Sequence, residues 1–235
     1  MSAYGWVILC SFIGPFFLSF DKKVAFFRSW RYLLPSILIV GIGFLIWDEF
    51  FTRIGVWGFT PKYLAGIYLG HLPIEEVLFF LVVPYNCIFI YLVLKAYFPD
   101  IKTRLIRSIF KWTIGLSSLL LVLFYGGIQH FFSTLDHYNY YTISAAFFSL
   151  VWTLLAHKKE WYGDFALSYI VCLIPFFIVN GILTGSITDD PIVWYSEQHI
   201  IGWRIGTIPF EDLFYNYDLL LPLAWIFNIF RGKEL

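Results

Sequence analysis

The sequence predicts an all-α integral membrane protein in which seven transmembrane helices form two parallel repeats of three, joined by one linking helix. Three observations lead to this fold class. Of the 235 residues, 60% are hydrophobic and only 14% are charged, whereas soluble domains are roughly 45–50% apolar. Several apolar stretches approach the length of about 20 residues that a helix needs to cross a bilayer. In addition, a motif in the first half of the chain recurs in the second half.

The apolar stretches are found by cutting the chain at its charged and turn-forming residues. They cover residues 4–20, 32–47, 73–94, 112–128, 138–156, 165–184 and 208–229. The first basic residue, Lys22, follows the first stretch, so we expect that stretch to persist as a helix and not to act as a signal peptide. The sequence therefore predicts seven spans.

The basic residues predict an orientation for these spans. Of the sixteen Lys and Arg residues, all but Arg53, Lys62 and Arg204 fall on one side when alternate loops are assigned to opposite sides. The positive-inside rule makes that side cytoplasmic. We expect a multi-pass protein of the cell (inner) membrane, surrounded by the lipid bilayer, with the N-terminus outside and the C-terminus in the cytoplasm.

An internal repeat organises the chain. When the sequence is shifted along itself so that Gly66 falls on Gly202, spans one to three align with spans five to seven, and span four has no counterpart. We call this shift the repeat offset. Because three crossings reverse the chain, a fourth helix must return the second unit to the first orientation. The sequence thus predicts a 3+1+3 parallel tandem repeat around a pseudo-two-fold axis along the membrane normal. Its units are a first three-helix repeat at 1–95, a linking helix at 96–135 and a second three-helix repeat at 136–235.

Two aromatic and glycine-rich segments, 48–72 and 185–207, occupy equivalent places in the two repeats. Both are too polar to cross the membrane and too apolar to be ordinary linkers. Irregular backbone at membrane depth must be covered by protein. We expect interfacial or re-entrant segments that cover the outer mouth of the bundle.

An adjacent acidic pair begins span three and another begins span seven. Within the shared pattern G-x-x-x-G-x-x-P-x-E-[ED], Glu75 and Glu76 align with Glu211 and Asp212. Carboxylates suit the first turn of a helix, so capping is one interpretation. Ionisable residues within a membrane are functional candidates by default, and capping does not explain why an adjacent pair occurs twice. Neighbouring helical residues point about 100° apart, so one acid of each pair can face the interior.

Two further acids are candidates. Asp218 follows Glu211 by two helical turns on one face, with Tyr215 between them. A structural hydrogen bond from Asp218 to a polar group such as Asn180 is as good an interpretation as a catalytic role. Asp48 ends span two, where it can join the paired acids or cap a solvated helix end.

Aromatic side chains surround these acids, and a ring face attracts positive charge without offering a nucleophile. A buried acid, a nearby base and aromatic walls suit protonation of an alkene, carbocation rearrangement and loss of a different proton. This chemistry needs no redox group, and Gly41-Ile42-Gly43 lacks the third glycine of a dinucleotide fingerprint. We therefore expect no cofactor.

The composition argues against other partners. Sixteen Lys and Arg balance sixteen Asp and Glu, so there is no basic excess to bind nucleic acid. The cysteines Cys10, Cys87 and Cys172 lie apart in apolar runs, without the spacing of a metal site or redox pair. We expect no nucleic-acid partner, no disulfide framework and no metal.

The motifs resemble those of the membrane-integral lycopene cyclases, which occur as two small homologous subunits or as one fused chain. The resemblance rests on Trp57 and the stretch leading to Pro73-Ile74-Glu75-Glu76-Val77-Leu78-Phe79-Phe80, and on Pro209-Phe210-Glu211-Asp212-Leu213-Phe214-Tyr215-Asn216. It implies an intramolecular lyase or isomerase of carotenoid biosynthesis that converts the ψ-ends of lycopene, or of a related acyclic carotenoid, to β-ionone rings.

Carried onto this chain, the resemblance implies that an acid among Glu75, Glu76, Glu211 and Asp212 protonates the terminal double bond. A carboxylate of the same set, or Asp218, removes a ring proton. Asp218 and Asp48 are our additions to the four acids of the motif. The residues that we expect to line the substrate chamber are Trp57, Phe79, Phe80, Asn180, Phe210, Phe214 and Tyr215.

A proton-coupled membrane transporter or channel is the alternative, because acids in a helix bundle can also form a proton relay. Against it, the spans lack basic and polar residues that could bind a hydrophilic solute. The sequence leaves open the oligomeric state and whether one or both ends of the carotenoid are cyclised.

Overall fold

A computed structural model describes residues 1–128 and 139–232. This part of the chain is mostly helical, and its seven α-helices are α1 (Ala3–Leu18), α2 (Trp30–Arg53), α3 (Ile74–Tyr97), α4 (Arg104–Leu123), α5 (Tyr140–Ala156), α6 (Tyr162–Leu183) and α7 (Glu211–Phe230). The predicted start of span five at residue 138 and the predicted domain boundary at 135/136 lie outside the described residues.

Short strands occupy the segments between α2 and α3 and between α6 and α7. They are β1 (Trp57–Phe59), β2 (Tyr68–Leu69), β3 (Leu72–Pro73), β4 (Val193–Tyr195), β5 (Arg204–Ile205) and β6 (Ile208–Pro209). Each pairs with one other strand in an antiparallel two-stranded sheet, in the order β1–β4, β2–β3 and β5–β6. The two segments that were predicted to be interfacial are thus joined to each other by β1 and β4.

Five helices are long and apolar enough to cross a membrane, namely α2, α3, α4, α6 and α7. The other two, α1 and α5, are apolar but have 16 and 17 residues. At 1.5 Å per residue they measure about 24 and 26 Å, which is shorter than a typical hydrocarbon core of about 30 Å. The seven predicted stretches therefore correspond to five helices of spanning length and two shorter ones.

Several helices extend beyond the predicted stretches. The chain was cut at Asp48 because it is charged, but α2 continues to Arg53 and Asp48 is 2% exposed. Similarly, α4 begins at Arg104, before the predicted start at 112. A charged side chain ends the apolar stretch but not the backbone hydrogen bonds of a helix, so cutting at charges underestimates helix length.

The repeated glycine motif forms the same hairpin in both halves. Tyr68 pairs with Pro73 across β2 and β3, and Arg204 pairs with Pro209 at the equivalent positions of β5 and β6. The glycine that follows β2, Gly70, has φ +65°, and its counterpart has φ +63°. A two-residue hairpin turn of this kind favours glycine with positive φ at its first central position. The motif therefore positions the chain just before α3 and α7.

The pairing of β1 with β4 is consistent with the same repeat. Trp57 pairs with Tyr195, and Phe59 pairs with Val193. The repeat offset takes Trp57 to Val193 and Phe59 to Tyr195, so it exchanges the two pairs. The two residues of the central pair, Gly58 and Trp194, correspond to each other under that offset. This strand pair lies where the two halves of the chain meet.

The helix α7 lies at the centre of the bundle, in contact with α2, α3, α5 and α6. Its buried side chains include Tyr217, Leu221, Leu223 and Phe227, each with no exposed surface. By contrast, α4 packs against α5 and α6 on the outside of the bundle. The acids at the start of α7 are consequently enclosed on several sides.

Candidate active site

Three carboxylates from three helices line one small cavity of about 50 Å³. They are Asp48 on α2, Glu76 on α3 and Asp212 on α7, which are 2%, 8% and 3% exposed. The strands β1 and β4 contribute Trp57 and Tyr195 to the wall. The residues that complete the lining are Tyr4, Phe59, Phe79, Tyr141, Phe176, Asn180, Leu183, Thr184, Val193, Tyr215, Asn216 and Leu219.

Asp212 receives three hydrogen bonds. The Tyr141 hydroxyl donates to Oδ1 at 2.6 Å, while Asn180 Nδ2 and the Tyr195 hydroxyl donate to Oδ2 at 2.9 and 3.1 Å. Hydrogen bonds to a carboxylate stabilise its charged form. This environment suits a proton acceptor.

The other two acids of the cavity receive fewer hydrogen bonds. Trp57 Nε1 donates to Oδ1 of Asp48 at 2.5 Å, and the Tyr4 hydroxyl donates to Oε2 of Glu76 at 2.5 Å. The second oxygen of Asp48 is buried and has no hydrogen-bond partner among the described residues. A buried carboxylate oxygen without a donor is costly as an anion, whereas a neutral carboxyl carries its own proton there.

Tyr195 lies in β4, outside the helices, and its hydroxyl stays protonated over a wide pH range. Burial raises the pKa of Tyr195 well above its ordinary value, and the neighbouring Asp212 carboxylate raises it further. Its hydroxyl can therefore keep donating to Asp212 in alkaline solution.

Four rings surround the acids as an aromatic box, made of Trp57, Tyr141, Tyr195 and Tyr215. The Trp57 ring centroid lies 5.0 Å from that of Tyr141, 6.2 Å from Tyr195 and 5.7 Å from Tyr215. Tyr141 and Tyr195 are stacked at 5.9 Å. Aromatic faces attract a cation, and the cavity lining contains no Lys, Arg or His among the described residues.

Glu75 and Glu211, the first acids of the two pairs, point away from this cavity. Oε1 of Glu75 accepts hydrogen bonds from the Ala65 backbone N–H at 2.7 Å and the Ser2 hydroxyl at 2.5 Å. Oε1 of Glu211 accepts from the backbone N–H of Ile201 at 2.7 Å and from a hydroxyl of α5 at 2.6 Å. Each therefore fixes the loop before its helix to a neighbouring helix.

Asp218 also lies outside the cavity lining. It has no exposed surface, and its Oδ1 accepts a hydrogen bond from the Ser149 hydroxyl of α5 at 2.7 Å. The partner that the sequence suggested, Asn180, binds Asp212 instead. Among the described contacts, Asp218 joins α7 to α5 away from the other three acids.

The expected chamber residues divide into two groups. Trp57, Phe79, Asn180 and Tyr215 line the acid cavity. The other three do not: Phe80 packs in the core against Phe44 with ring centroids 6.1 Å apart, while Phe210 and Phe214 line a separate groove against α4 and α6. Side chains one residue apart on a helix point about 100° apart, and here Phe79 lines the acid cavity while Phe80 points into the core.

Sequence reasoning missed three tyrosines whose hydroxyls bind the acids, namely Tyr4, Tyr141 and Tyr195. The repeat offset takes Tyr4 to Tyr140, one residue before Tyr141. Tyr4 and Tyr141 are near the starts of the corresponding helices α1 and α5, and each donates to the second acid of a pair. Tyr195 lies in an irregular segment, where no periodicity indicates which way a side chain points.

Comparison with known proteins adds an independent observation. The family model described as lycopene cyclase matches residues 2–94 and 137–230. A bifunctional lycopene cyclase/phytoene synthase from Aspergillus oryzae is 30% identical over 115 residues, which cover 48% of this chain and 19% of that protein. A protein of the same description from Pyrenophora tritici-repentis is 33% identical over 90 residues, which cover 38% of this chain and 14% of that protein.

These alignments thus span at most about a fifth of the relatives' length. No solved structure matches the chain.

Proposed function

The chain belongs to the lycopene cyclase family, and from this premise we propose that it is a lycopene β-cyclase that closes the ψ-ends of lycopene into β-ionone rings. The reaction is an isomerisation, since one proton is added and one is removed. The observation that supports this proposal most strongly is the cavity in which Asp48, Glu76 and Asp212 meet inside an aromatic box.

We assign the first proton transfer to Asp48. Its Oδ2 is buried without a hydrogen-bond partner among the described residues, which favours the neutral carboxyl over the carboxylate. Glu75, Glu211 and Asp218 also have such an oxygen, but of these four acids only Asp48 lines the cavity. In the proposed step this proton adds to the terminal double bond of the ψ-end and leaves a tertiary cation. The next double bond of the chain attacks that cation, which forms the ring bond and moves the positive charge to a ring carbon.

We assign the second proton transfer to Asp212. Three hydrogen bonds favour its carboxylate, which removes a ring proton as the electron pair of that C–H bond becomes the new ring double bond. Asp48 then regains a proton from Asp212 across the cavity that both line, and Glu76 is the remaining acid through which it can pass. A general acid or base contributes typically 10²–10⁴-fold to a rate.

The aromatic box has two roles in this proposal. Its ring faces stabilise the cationic intermediates, and the box offers no nucleophilic amine or thiol that would capture them. At about 50 Å³ the cavity must widen to admit the flexible end of the substrate; in the proposal it then holds this end in a ring-like shape before proton transfer, which lowers the entropic barrier.

We further propose that α1 and α5 cross the membrane with the five longer helices, as a 3+1+3 parallel repeat. The self-consistent β1–β4 pairing and the two equivalent hairpins support a two-fold relation between the halves. The distribution of Lys and Arg supports an external N-terminus and a cytoplasmic C-terminus in the cell membrane.

The decisive experiment is expression in a bacterial host that accumulates lycopene, followed by pigment analysis. We expect monocyclic or bicyclic β-ring products. Protein that is inserted and stable but leaves lycopene unchanged would reject the proposal. Proton or solute flux in proteoliposomes, with lycopene unchanged, would instead support the transporter alternative.

A further inference from the structure

A large apolar groove opens on one side of the bundle, between α1, α3 and α6. Its volume is about 510 Å³, and its walls are made mainly of hydrophobic side chains. Representative residues are Trp6 and Cys10 on α1, Val83 and Ile90 on α3, and Ile178 and Val179 on α6. Several of them, including Trp6 and Ile178, are more than half exposed. In a membrane this groove would face the lipid chains.

The groove adjoins the acid cavity. Phe79, Phe176, Asn180 and Asn216 line both. Along α3 the groove runs from Phe79 to Ile90, which corresponds to about 16 Å at 1.5 Å per residue. Its length along α3 is therefore about half the thickness of a hydrocarbon core of roughly 30 Å.

The corresponding place in the other half of the chain is closed. The repeat offset takes Phe79 to Tyr215, whose ring packs against Phe44 and Trp47, each with centroids 5.2 Å away. A second apolar groove of about 490 Å³ lies against α4 and α6, but none of its lining residues lines the acid cavity. Of these two grooves, the one between α1, α3 and α6 shares lining residues with the acid cavity.

We propose that this groove binds the polyene chain of the acyclic carotenoid, so that the substrate enters sideways from the bilayer and only its end passes Phe79 and Phe176 to the acids. This inference rests on the proposed function. A single opening admits one end of the substrate at a time. The monocyclic carotenoid must then leave and turn round before its second end can react.

The native cysteines provide a direct test of occupancy. All three, Cys10, Cys87 and Cys172, line this groove. Purified protein in liposomes is treated with a membrane-permeant maleimide, with and without lycopene, and labelling is followed by mass spectrometry. A ligand at ten times its Kd leaves about one tenth of the sites free, so labelling of Cys10 and Cys87 should slow about tenfold.

Lycopene could slow labelling simply by consuming the maleimide. A thiol in the second groove, against α4 and α6, which we call the unconnected groove, controls for this. Ser117 lines that groove, and Ser117→Cys should be labelled at the same rate with and without lycopene. Equal slowing at residues 117 and 10 would overturn the assignment, as would unprotected Cys10 and Cys87 in a preparation that forms cyclic product.

Filling the groove gives a second, independent test. Val83→Trp should reduce product formation at least tenfold and abolish thiol protection, whereas Ile109→Trp in the unconnected groove should leave both unchanged. Full activity of a stably inserted Val83→Trp variant would overturn the proposal. Protection by lycopene without any cyclic product would leave the groove assignment intact and reject the cyclase function, so the two failures can be distinguished.

Discussion

Trp57 donates its indole N–H to Oδ1 of Asp48 at 2.5 Å, and this bond joins strand β1 to helix α2 inside the acid cavity. It occupies one oxygen of the carboxyl group and leaves the other without a partner among the described residues. The indole therefore fixes which oxygen of Asp48 is available to the substrate. Asp48, which the sequence analysis placed at the end of span two, is thus the proposed proton donor.

Replacing Asp48 should stop the first proton transfer. We expect Asp48→Asn to lower product formation per inserted protein by at least about 100-fold, since a general acid contributes typically 10²–10⁴-fold. Glu49→Gln is the matched control, because Glu49 is the next residue of α2 and binds the exposed His71. Pigment analysis in lycopene-accumulating cells measures both. Comparable activity of the two variants would show that Asp48 is not the donor.

The first acids of the two pairs should matter for folding more than for chemistry. Glu75→Ala and Glu211→Ala each leave a backbone N–H without its acceptor, at Ala65 and Ile201 respectively. The expected loss is about 1–3 kcal/mol of unfolding free energy per substitution. Unfolding in mixed detergent micelles would measure it. Glu197→Ala, at an exposed residue paired with Arg204, is the control and should cost less than about 1 kcal/mol.

A contrary result for Glu75 or Glu211 would be informative. If either variant keeps wild-type stability and insertion but forms no product, that acid acts on the substrate and the assignment of proton transfers to Asp48 and Asp212 fails.

Replacing Tyr195 should change how the unfolding free energy depends on pH. Its folded-state pKa is raised well above the ordinary value of about 10, so the unfolded chain loses this proton first as the pH rises. The stabilisation is present below pH 10 and is lost between pH 10 and the higher folded-state pKa. In that window Tyr195→Phe should reduce the slope of unfolding free energy against pH by about 1.4 kcal/mol per unit.

Reversible unfolding between pH 9 and 11 would measure this difference. Tyr68→Phe is a suitable control, because Tyr68 is exposed and its replacement removes no buried hydroxyl. Identical slopes for wild type and Tyr195→Phe would contradict the burial of this hydroxyl.

Asp218 should act with Ser149 as a structural pair. In a double-mutant cycle, Asp218→Asn and Ser149→Ala should be non-additive by about 0.5–3 kcal/mol, because the residues share one hydrogen bond. Product formation per folded Asp218→Asn protein should stay within about twofold of wild type. A loss as large as that of Asp48→Asn would return Asp218 to the catalytic group.

The repeat motif and the candidate acids could be identified from the sequence because both depend on local spacing. The sequence could not separate Glu75 from Glu76, since that difference depends on which loop amide lies beside each carboxyl group. Nor could it identify Tyr195, which reaches Asp212 only because β4 pairs with β1 from the opposite half of the chain. The predicted end of α2 came too early for a related reason. Asp48 is buried by contacts with other parts of the fold, and its charge alone suggested a helix end.

The meeting of the two halves has a consequence for how such a protein can be assembled. Asp48 and Glu76 come from the first half, while Asp212 and three of the four tyrosines that line the cavity come from the second, and β1 hydrogen-bonds to β4 between them. Neither half made alone would carry all of the proposed reacting groups. If the two halves were synthesised as separate polypeptides, they would have to be produced in equal amounts. Any surplus of one half would be inert, and its unpaired strand edge would be exposed to the quality-control machinery of the cell.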